Sequence, residues 1–142
     1  MNTRNNVLYV NENPKSLRLM ASILEDSGFT VQTTTTPREA LELIHMDSFA
    51  LALLNYQLPQ MTGAQLAQEI RALDGSLAIV LLSGQASLPA GELAYVDAHI
   101  GRGSSIENLT HVMRELVDKD SAIAGLFEIV SARTVPIAPG SR

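Results

Sequence analysis

The sequence contains no cysteine and is poor in basic residues. Without cysteine, the chain cannot form disulfides, thiolate metal sites or cysteine nucleophiles, and this composition fits a reducing cytosol. Its 142 residues include 10 Lys and Arg against 15 Asp and Glu, for a formal net charge of −5. Binding to nucleic acid or to an anionic membrane needs clustered Lys and Arg, so we expect neither as a direct partner.

Long hydrophobic runs are also missing. The longest, Phe49 to Leu54 and Leu77 to Leu82, are far shorter than the roughly 20 apolar residues that cross a bilayer. The first ten residues contain no signal-peptide core. With 46% hydrophobic residues, the chain can still bury one sizeable core, so we expect a soluble cytoplasmic protein.

Short apolar segments alternate with segments of helical periodicity. The apolar segments predict five strands, at 7–10, 29–33, 50–54, 79–82 and 98–100. A helix is predicted after each strand, beginning near Asn13, Thr36, Thr62, Ala90 and Ser104 in turn. Thr36 with Glu39, and Ser104 with Glu107, have the spacing of capping boxes.

The central strands are apolar on both faces, which is typical of a parallel sheet covered by helices on both sides. The sequence therefore predicts a doubly wound, three-layer α/β sandwich with a five-stranded parallel sheet. In such sheets the functional crevice lies beyond the carboxyl ends of the strands. The polar residues expected there are Asn11, Glu12, Asn55 and Ser83.

The last predicted helix is longer than the others. Apolar residues recur at alternating spacings of three and four, interrupted by Lys119: Leu109, Val112, Leu116, Ile123, Leu126 and Val130. This stripe favours one long helix and predicts a homodimer through it, while the alternative is two helices with a break at Asp118 to Ser121. We divide the chain into a domain of residues 1–120 and a helical extension of residues 121–142, whose tail from Thr134 is expected to be a disordered end or a linker.

Four stretches of the sequence resemble the receiver domain of two-component response regulators, in order and with family-like spacing over about residues 5–118. They are VLYVNENP, LALLNYQLPQMTG, IVLLSG and DAHIGRG, and the second is the most specific. The resemblance implies a flavodoxin-like fold with strand order 2-1-3-4-5. It also implies a protein partner in signal transduction, either a histidine kinase or another signalling or output protein.

The resemblance gives a role to each polar residue of the predicted crevice. Asn55 stands where the family has its phosphoacceptor aspartate, and Asn11 and Glu12 stand at the acidic pair that holds Mg²⁺. Ser83 stands at the hydroxyl position that contacts the phosphoryl group, and His99 at the aromatic switch position. The charge of His99 could respond near neutral pH, although a partly exposed histidine without a special role is the favoured interpretation.

Arg102 stands at the position of the family's lysine, and Gly103 replaces the proline that follows it. Arg102 keeps the positive charge but presents it as a planar fork, and we expect it to reach Glu12 or to turn outward. A cis bond before a residue other than proline costs about 3 kcal/mol, so we expect a trans Arg102–Gly103 bond.

The neutral side chains at positions 11 and 55 bear directly on mechanism. Aspartyl phosphorylation needs a carboxylate nucleophile, and the amide of Asn55 cannot form an acyl phosphate. Magnesium is usually held by one or two carboxylates, and Glu12 is the only anionic candidate ligand that remains. We therefore expect weak or absent Mg²⁺ binding, no other cofactor, and no enzymatic activity.

The leading hypothesis is a degenerate receiver that signals through protein contacts without aspartyl phosphorylation. An alternative is a module that senses a small ligand or an anion with the Arg102 loop and the vacated pocket. A third hypothesis, phosphorylation of Ser83 instead, is disfavoured because the sequence shows no base or second anion beside Ser83.

Overall fold

Five parallel strands form one sheet in the computed structural model, which describes residues 5–101 and 103–126. The strands are β1 (Asn6–Val10), β2 (Thr30–Thr34), β3 (Leu51–Asn55), β4 (Ala78–Leu82) and β5 (Ala98–Ile100). They lie in the order β2-β1-β3-β4-β5, which confirms the predicted order and the doubly wound topology. The predicted bounds differ from these by no more than one residue at either end of a strand.

Four α-helices cover the two faces of the sheet. They are α1 (Pro14–Asp26), α2 (Pro37–Met46), α3 (Gly63–Leu73) and α4 (Ile106–Leu126). Side chains alternate between the faces along each strand. In β1, Val7 and Tyr9 pack in one core with α1 and α4, while Leu8 and Val10 pack in a second core with α2 and α3.

The fifth predicted helix, placed between β4 and β5, is wrong. The segment forms only a short 3₁₀ helix, Ala90–Leu93. Pro89 stands at the N-cap and provides no side-chain capping hydrogen bond, and Gly91 is a poor helix former, so an α-helix is not stabilised here. Leu93 and Val96 nevertheless pack against the core on the α2 and α3 side, so the segment still covers part of this face.

The predicted caps of α2 and α3 are close to those observed. Thr62 and Gln65 form a complete capping box at the start of α3. At the start of α2, Thr36 accepts a hydrogen bond from the backbone N–H of Glu39, at 3.2 Å. The carboxylate of Glu39 accepts from the hydroxyl of Thr34 instead of completing the predicted box.

The last helix, α4, continues without a break from Ile106 to Leu126, so the break considered at Asp118 to Ser121 is absent. The prediction of one long helix is thus confirmed as far as Leu126. Within the two described ranges, no helix is long and apolar enough to cross a membrane. The predicted tail from Thr134 lies outside those ranges, and the division of the chain at residue 120 stays a prediction.

The predicted cap of α4 is one residue too early. Ser105, rather than Ser104, accepts a hydrogen bond from the backbone N–H of Asn108, at 3.0 Å. The backbone carbonyl of Ser105 also accepts from Leu109, at 3.0 Å. Leu109 and Met113 are buried against the sheet. The helix begins at the residue that places both of these side chains on its buried face.

Candidate functional site

The sheet brings the predicted crevice residues to one edge, beyond the carboxyl ends of β1, β3 and β4. Val10 is paired in register with Leu54, and Asn55 with Leu82. Asn11 directly follows β1, Asn55 is the last residue of β3, and Ser83 directly follows β4. His99 lies on the neighbouring strand β5. Arg102 lies outside the described residues, so its contact with Glu12 and the trans bond to Gly103 stay predictions.

Asn11 is held by its own turn. The residue is 8% exposed, and its Nδ2 donates to the hydroxyl of Tyr9 at 2.9 Å. Its Oδ1 accepts from the backbone N–H of Asn13 at 3.0 Å, just before Asn13 caps α1. Burial raises the pKa of Tyr9, and the hydrogen bond from Asn11 acts against this rise. Both ends of the Asn11 amide are therefore used inside the protein.

Asn55 is likewise held by a local hydrogen bond. Its Nδ2 donates to the backbone carbonyl of Gln57 at 2.9 Å. This contact needs the amide, because a carboxylate would place a second acceptor against that carbonyl. The side chain thus stabilises the turn after β3 as a donor.

The oxygen ligands at this edge fit Mg²⁺ poorly. Glu12 supplies a carboxylate on an exposed side chain, and the Oδ1 of Asn11 already accepts from Asn13. Magnesium usually takes carboxylates together with waters and phosphate oxygens. The two described ranges contain no group of three or more His, Asp or Glu side chains placed to hold a metal ion.

Ser83 and His99 meet at this edge, a contact that sequence reasoning missed. The Oγ of Ser83 lies 3.1 Å from Nε2 of His99. It also lies 3.0 Å from the backbone carbonyl of Gln85 and accepts from the backbone N–H of Gln85 at 3.0 Å. Partial burial lowers the pKa of His99 below its ordinary value. The expectation that Ser83 has no base beside it is therefore wrong.

Two glycines bring the backbone close to these residues, and neither was predicted to matter. A Cβ on Gly63 would lie 2.3 Å from the backbone oxygen of Asn55, so α3 begins tightly against the end of β3. A Cβ on Gly101 would lie 2.4 Å from the backbone oxygen of Gln85. The sequence signal for these close approaches is a glycine at the start of a predicted helix and another directly after a predicted strand.

Tyr56 links the turn after β3 to the 3₁₀ helix. Its hydroxyl donates to Oε1 of Glu92 at 2.9 Å, and its backbone N–H donates to the carbonyl of Leu82 at 2.7 Å. The hydrogen bond with Glu92 raises the pKa of Tyr56, with smaller contributions from burial and the carboxylate charge. Sequence reasoning missed this link because the partners are 36 residues apart.

A family model described as the response regulator receiver domain matches residues 7–100. Among curated proteins, the chain is 35% identical over 85 residues to the sensor protein GacS of Pseudomonas syringae pv. syringae. This match covers 56% of the chain and 9% of GacS, so the chain spans only a small part of that relative.

Solved structures agree with this family match. A CheY-like receiver domain protein from Methanospirillum hungatei is 27% identical, with a TM-score of 0.76, over 83% of this chain and 97% of that one. The response regulator TrrA of Thermotoga maritima, in a complex with the histidine kinase ThkA, is also similar. That match is 21% identical, with a TM-score of 0.73, over 79% of this chain and 97% of the matched chain.

Proposed function

Because the chain belongs to the response regulator receiver family, we propose that it is a signalling module that works through protein contacts without aspartyl phosphorylation. The observation that carries the proposal is the amide of Asn55 at the end of β3, donating to the carbonyl of Gln57. An amide nitrogen is delocalised into its carbonyl, so this side chain does not supply the carboxylate nucleophile of an acyl phosphate.

Asn11 supports the same proposal. Its amide donates to Tyr9 and accepts from Asn13, and it carries no charge for a cation. Glu12 alone contributes a carboxylate next to β1, which favours weak or absent binding of Mg²⁺. The two neutral positions therefore remove the nucleophile and weaken the metal site together.

The proposal includes a protein partner, either a histidine kinase or another signalling or output protein, in the cytoplasm. The kinase complex of TrrA supports a histidine kinase as the first partner to test. It also includes a homodimer through α4, because that helix continues beyond Val117, its last described core residue. The anion-sensing alternative depends on Arg102, and no contact of the described residues favours it.

Acetyl phosphate tests the absence of aspartyl phosphorylation. We would incubate the full chain with acetyl phosphate and Mg²⁺, then measure its intact mass before and after treatment with hydroxylamine, which cleaves acyl phosphates. The expected result is no hydroxylamine-labile phosphoryl group. The double variant Asn11→Asp with Asn55→Asp restores both carboxylates and should gain the labile group. A labile group on the unmodified chain would overturn the proposal.

A further inference from the structure

We propose that Ser83 and His99 form a nucleophile and base pair, and that Ser83 accepts a phosphoryl group from an activated donor, an acyl phosphate or a phosphoramidate. The inference deepens the proposed function, since it rests on a receiver crevice that meets phosphoryl donors without offering an aspartate. It assigns a modification site to a hydroxyl that is otherwise expected only to contact a phosphoryl group.

The geometry is that of an activated serine. A nucleophilic hydroxyl needs a base within hydrogen-bond reach, and Nε2 of His99 lies 3.1 Å from Oγ of Ser83. The hydroxyl carries one proton, which it gives either to the carbonyl of Gln85 or to His99. When His99 is protonated on Nδ1, its Nε2 accepts that proton and the serine is poised as a nucleophile.

The protonation state of His99 supports this role. Partial burial lowers the pKa of the imidazole, so His99 is predominantly neutral at neutral pH and has a free lone pair. A general base must be unprotonated before it accepts a proton, and it works best when its pKa lies near the working pH. Ser83 itself is only partly buried, which leaves its oxygen open to a donor.

The backbone around Ser83 is arranged to support the developing charge. The N–H of Gln85 donates to Oγ of Ser83 at 3.0 Å and stabilises negative charge on that oxygen. Gly101 lets the end of β5 approach the same turn, because any Cβ there would lie 2.4 Å from the carbonyl oxygen of Gln85. The oxygen and its base are thus held by two neighbouring strand ends.

The charge of the crevice favours an anionic donor in the absence of a metal. Phosphoryl donors are anions, and a cluster of carboxylates repels them unless a cation is bound. Asn11 and Asn55 are neutral, and Glu12 is exposed. The neutral side chains of Asn11 and Asn55 exclude aspartyl phosphorylation. They also reduce the electrostatic repulsion of an anionic donor that approaches Ser83.

The reaction balances with acetyl phosphate as donor. Oγ of Ser83 attacks phosphorus, an O–P bond forms, and the bond from phosphorus to the acetate oxygen breaks. Acetate leaves as the carboxylate, and the hydroxyl proton passes to Nε2 of His99 and then to water. With phosphoramidate the P–N bond breaks and ammonia leaves. The product in both cases is a phosphoserine monoester, which hydroxylamine does not cleave.

The test is phosphorylation of the full chain by these two donors without added metal. Acetyl phosphate represents a free acyl phosphate, and phosphoramidate represents the P–N bond of a phosphohistidine, so the two arms distinguish the sources. Intact mass after hydroxylamine treatment should show one stable phosphoryl group, and peptide mapping should place it on Ser83. Ser83→Ala should lose the label, and Ser87→Ala, on the same loop, should keep it.

His99 is tested separately from Ser83. His99→Gln keeps a hydrogen-bonding nitrogen but no base, and should slow labelling at least about 100-fold. Added imidazole should restore labelling of His99→Ala, an effect that a purely structural role would not produce. Ser83→Thr keeps the hydroxyl and should still be labelled, which preserves the test if Ser83→Ala fails to fold.

The outcomes separate this inference from the proposed function. No stable label with either donor, or a stable label mapped to another residue, would overturn the inference and leave the proposed function standing. A hydroxylamine-labile label would contradict both. Labelling of His99→Gln at the rate of the unmodified chain would overturn the role of His99 as base.

Discussion

At the scale of single residues, Asn11 and Asn55 differ from aspartate by one terminal group, and the structure uses that group. Each presents an NH₂ as a donor, to the hydroxyl of Tyr9 and to the carbonyl of Gln57 respectively. A carboxylate at position 55 would meet the carbonyl of Gln57 as a second acceptor. The amide at position 55 is therefore integrated into its turn, as well as unable to form an acyl phosphate.

The pH dependence of stability tests the environment of His99. Burial lowers the pKa of folded His99 below the ordinary histidine value of about 6.5. Between the folded pKa and about 6.5, the unfolded chain binds more protons than the folded chain, so the free energy of unfolding falls as the pH is lowered through this range. Urea unfolding over a series of pH values should show this fall, and His99→Gln should flatten it.

The control for this prediction is another histidine. His45→Gln removes an imidazole from the exposed surface of α2 and should keep the fall that His99→Gln removes. Equal pH profiles for the unmodified chain and His99→Gln would contradict the lowered pKa of folded His99.

The site residues could be located from the sequence, but their contacts could not. Asn55 and Ser83 were placed because each stands at the end of an apolar strand within a recognisable stretch. The contact between Ser83 and His99 depends on β4 and β5 being neighbours in a particular register, with Leu81 opposite His99. That register is set by packing of the whole sheet, which a local pattern does not encode.

At the scale of elements, Arg71 near the end of α3 contacts the segments that lead into β4 and β5. Its Nη1 donates to the carbonyls of Gly75 and Leu77, at 3.0 and 2.6 Å, and its Nη2 donates to the carbonyl of Tyr95 at 3.0 Å. The same Nη2 pairs with Oδ2 of Asp97 at 3.1 Å. This guanidinium therefore stabilises the segments that precede β4 and β5. The segment before β5 contains the 3₁₀ helix that replaces the predicted α-helix.

Replacement of Arg71 should therefore destabilise the protein more than a surface position would. Arg71→Lys keeps the charge but loses the fork that reaches several acceptors, and we expect a loss of about 2 kcal/mol in the free energy of unfolding. Urea unfolding measures it. The matched control is Arg38→Lys, whose ion pair with Glu42 is long, at 3.8 Å, and solvent-exposed.

A loss for Arg71→Lys no larger than for Arg38→Lys would contradict this account of Arg71. In that case, water would replace the guanidinium as the hydrogen-bond donor to these carbonyls without lowering the free energy of unfolding. The covering of β4 and β5 would then depend on the apolar side chains of the 3₁₀ segment, such as Leu93 and Val96.

The strands were predicted more accurately than the connections between them. Strands that are buried on both faces are recognisable in the sequence because nearly every one of their residues must be apolar. The α-helix expected near Ala90 does not form because Pro89 provides no side-chain cap and Gly91 is a poor helix former, and these effects outweigh the local periodicity. At α4, Ser104 and Ser105 both suit a cap, and burial of Leu109 and Met113 decides between them.

At the scale of the whole molecule, α4 is longer than the sheet that it covers. Its 21 residues span about 30 Å at 1.5 Å per residue. The five residues of each central strand span only about 17 Å. Its described core residues are Leu109, Met113 and Val117, and Val112 and Leu116 also pack against this core. The early part of the apolar stripe is thus used within the molecule.

The homodimer proposal consequently places the contact in the second half of the stripe. Sedimentation of the full chain should show a dimer, and a chain that ends after Val117 should sediment as a monomer with its core residues retained. Ile123→Asp puts a charge on the stripe and should weaken the dimer, whereas Ser121→Asp adds the same charge off the stripe and should not. A monomer at both lengths, or a dimer that survives both truncation and Ile123→Asp, would reject this part of α4 as the dimer contact.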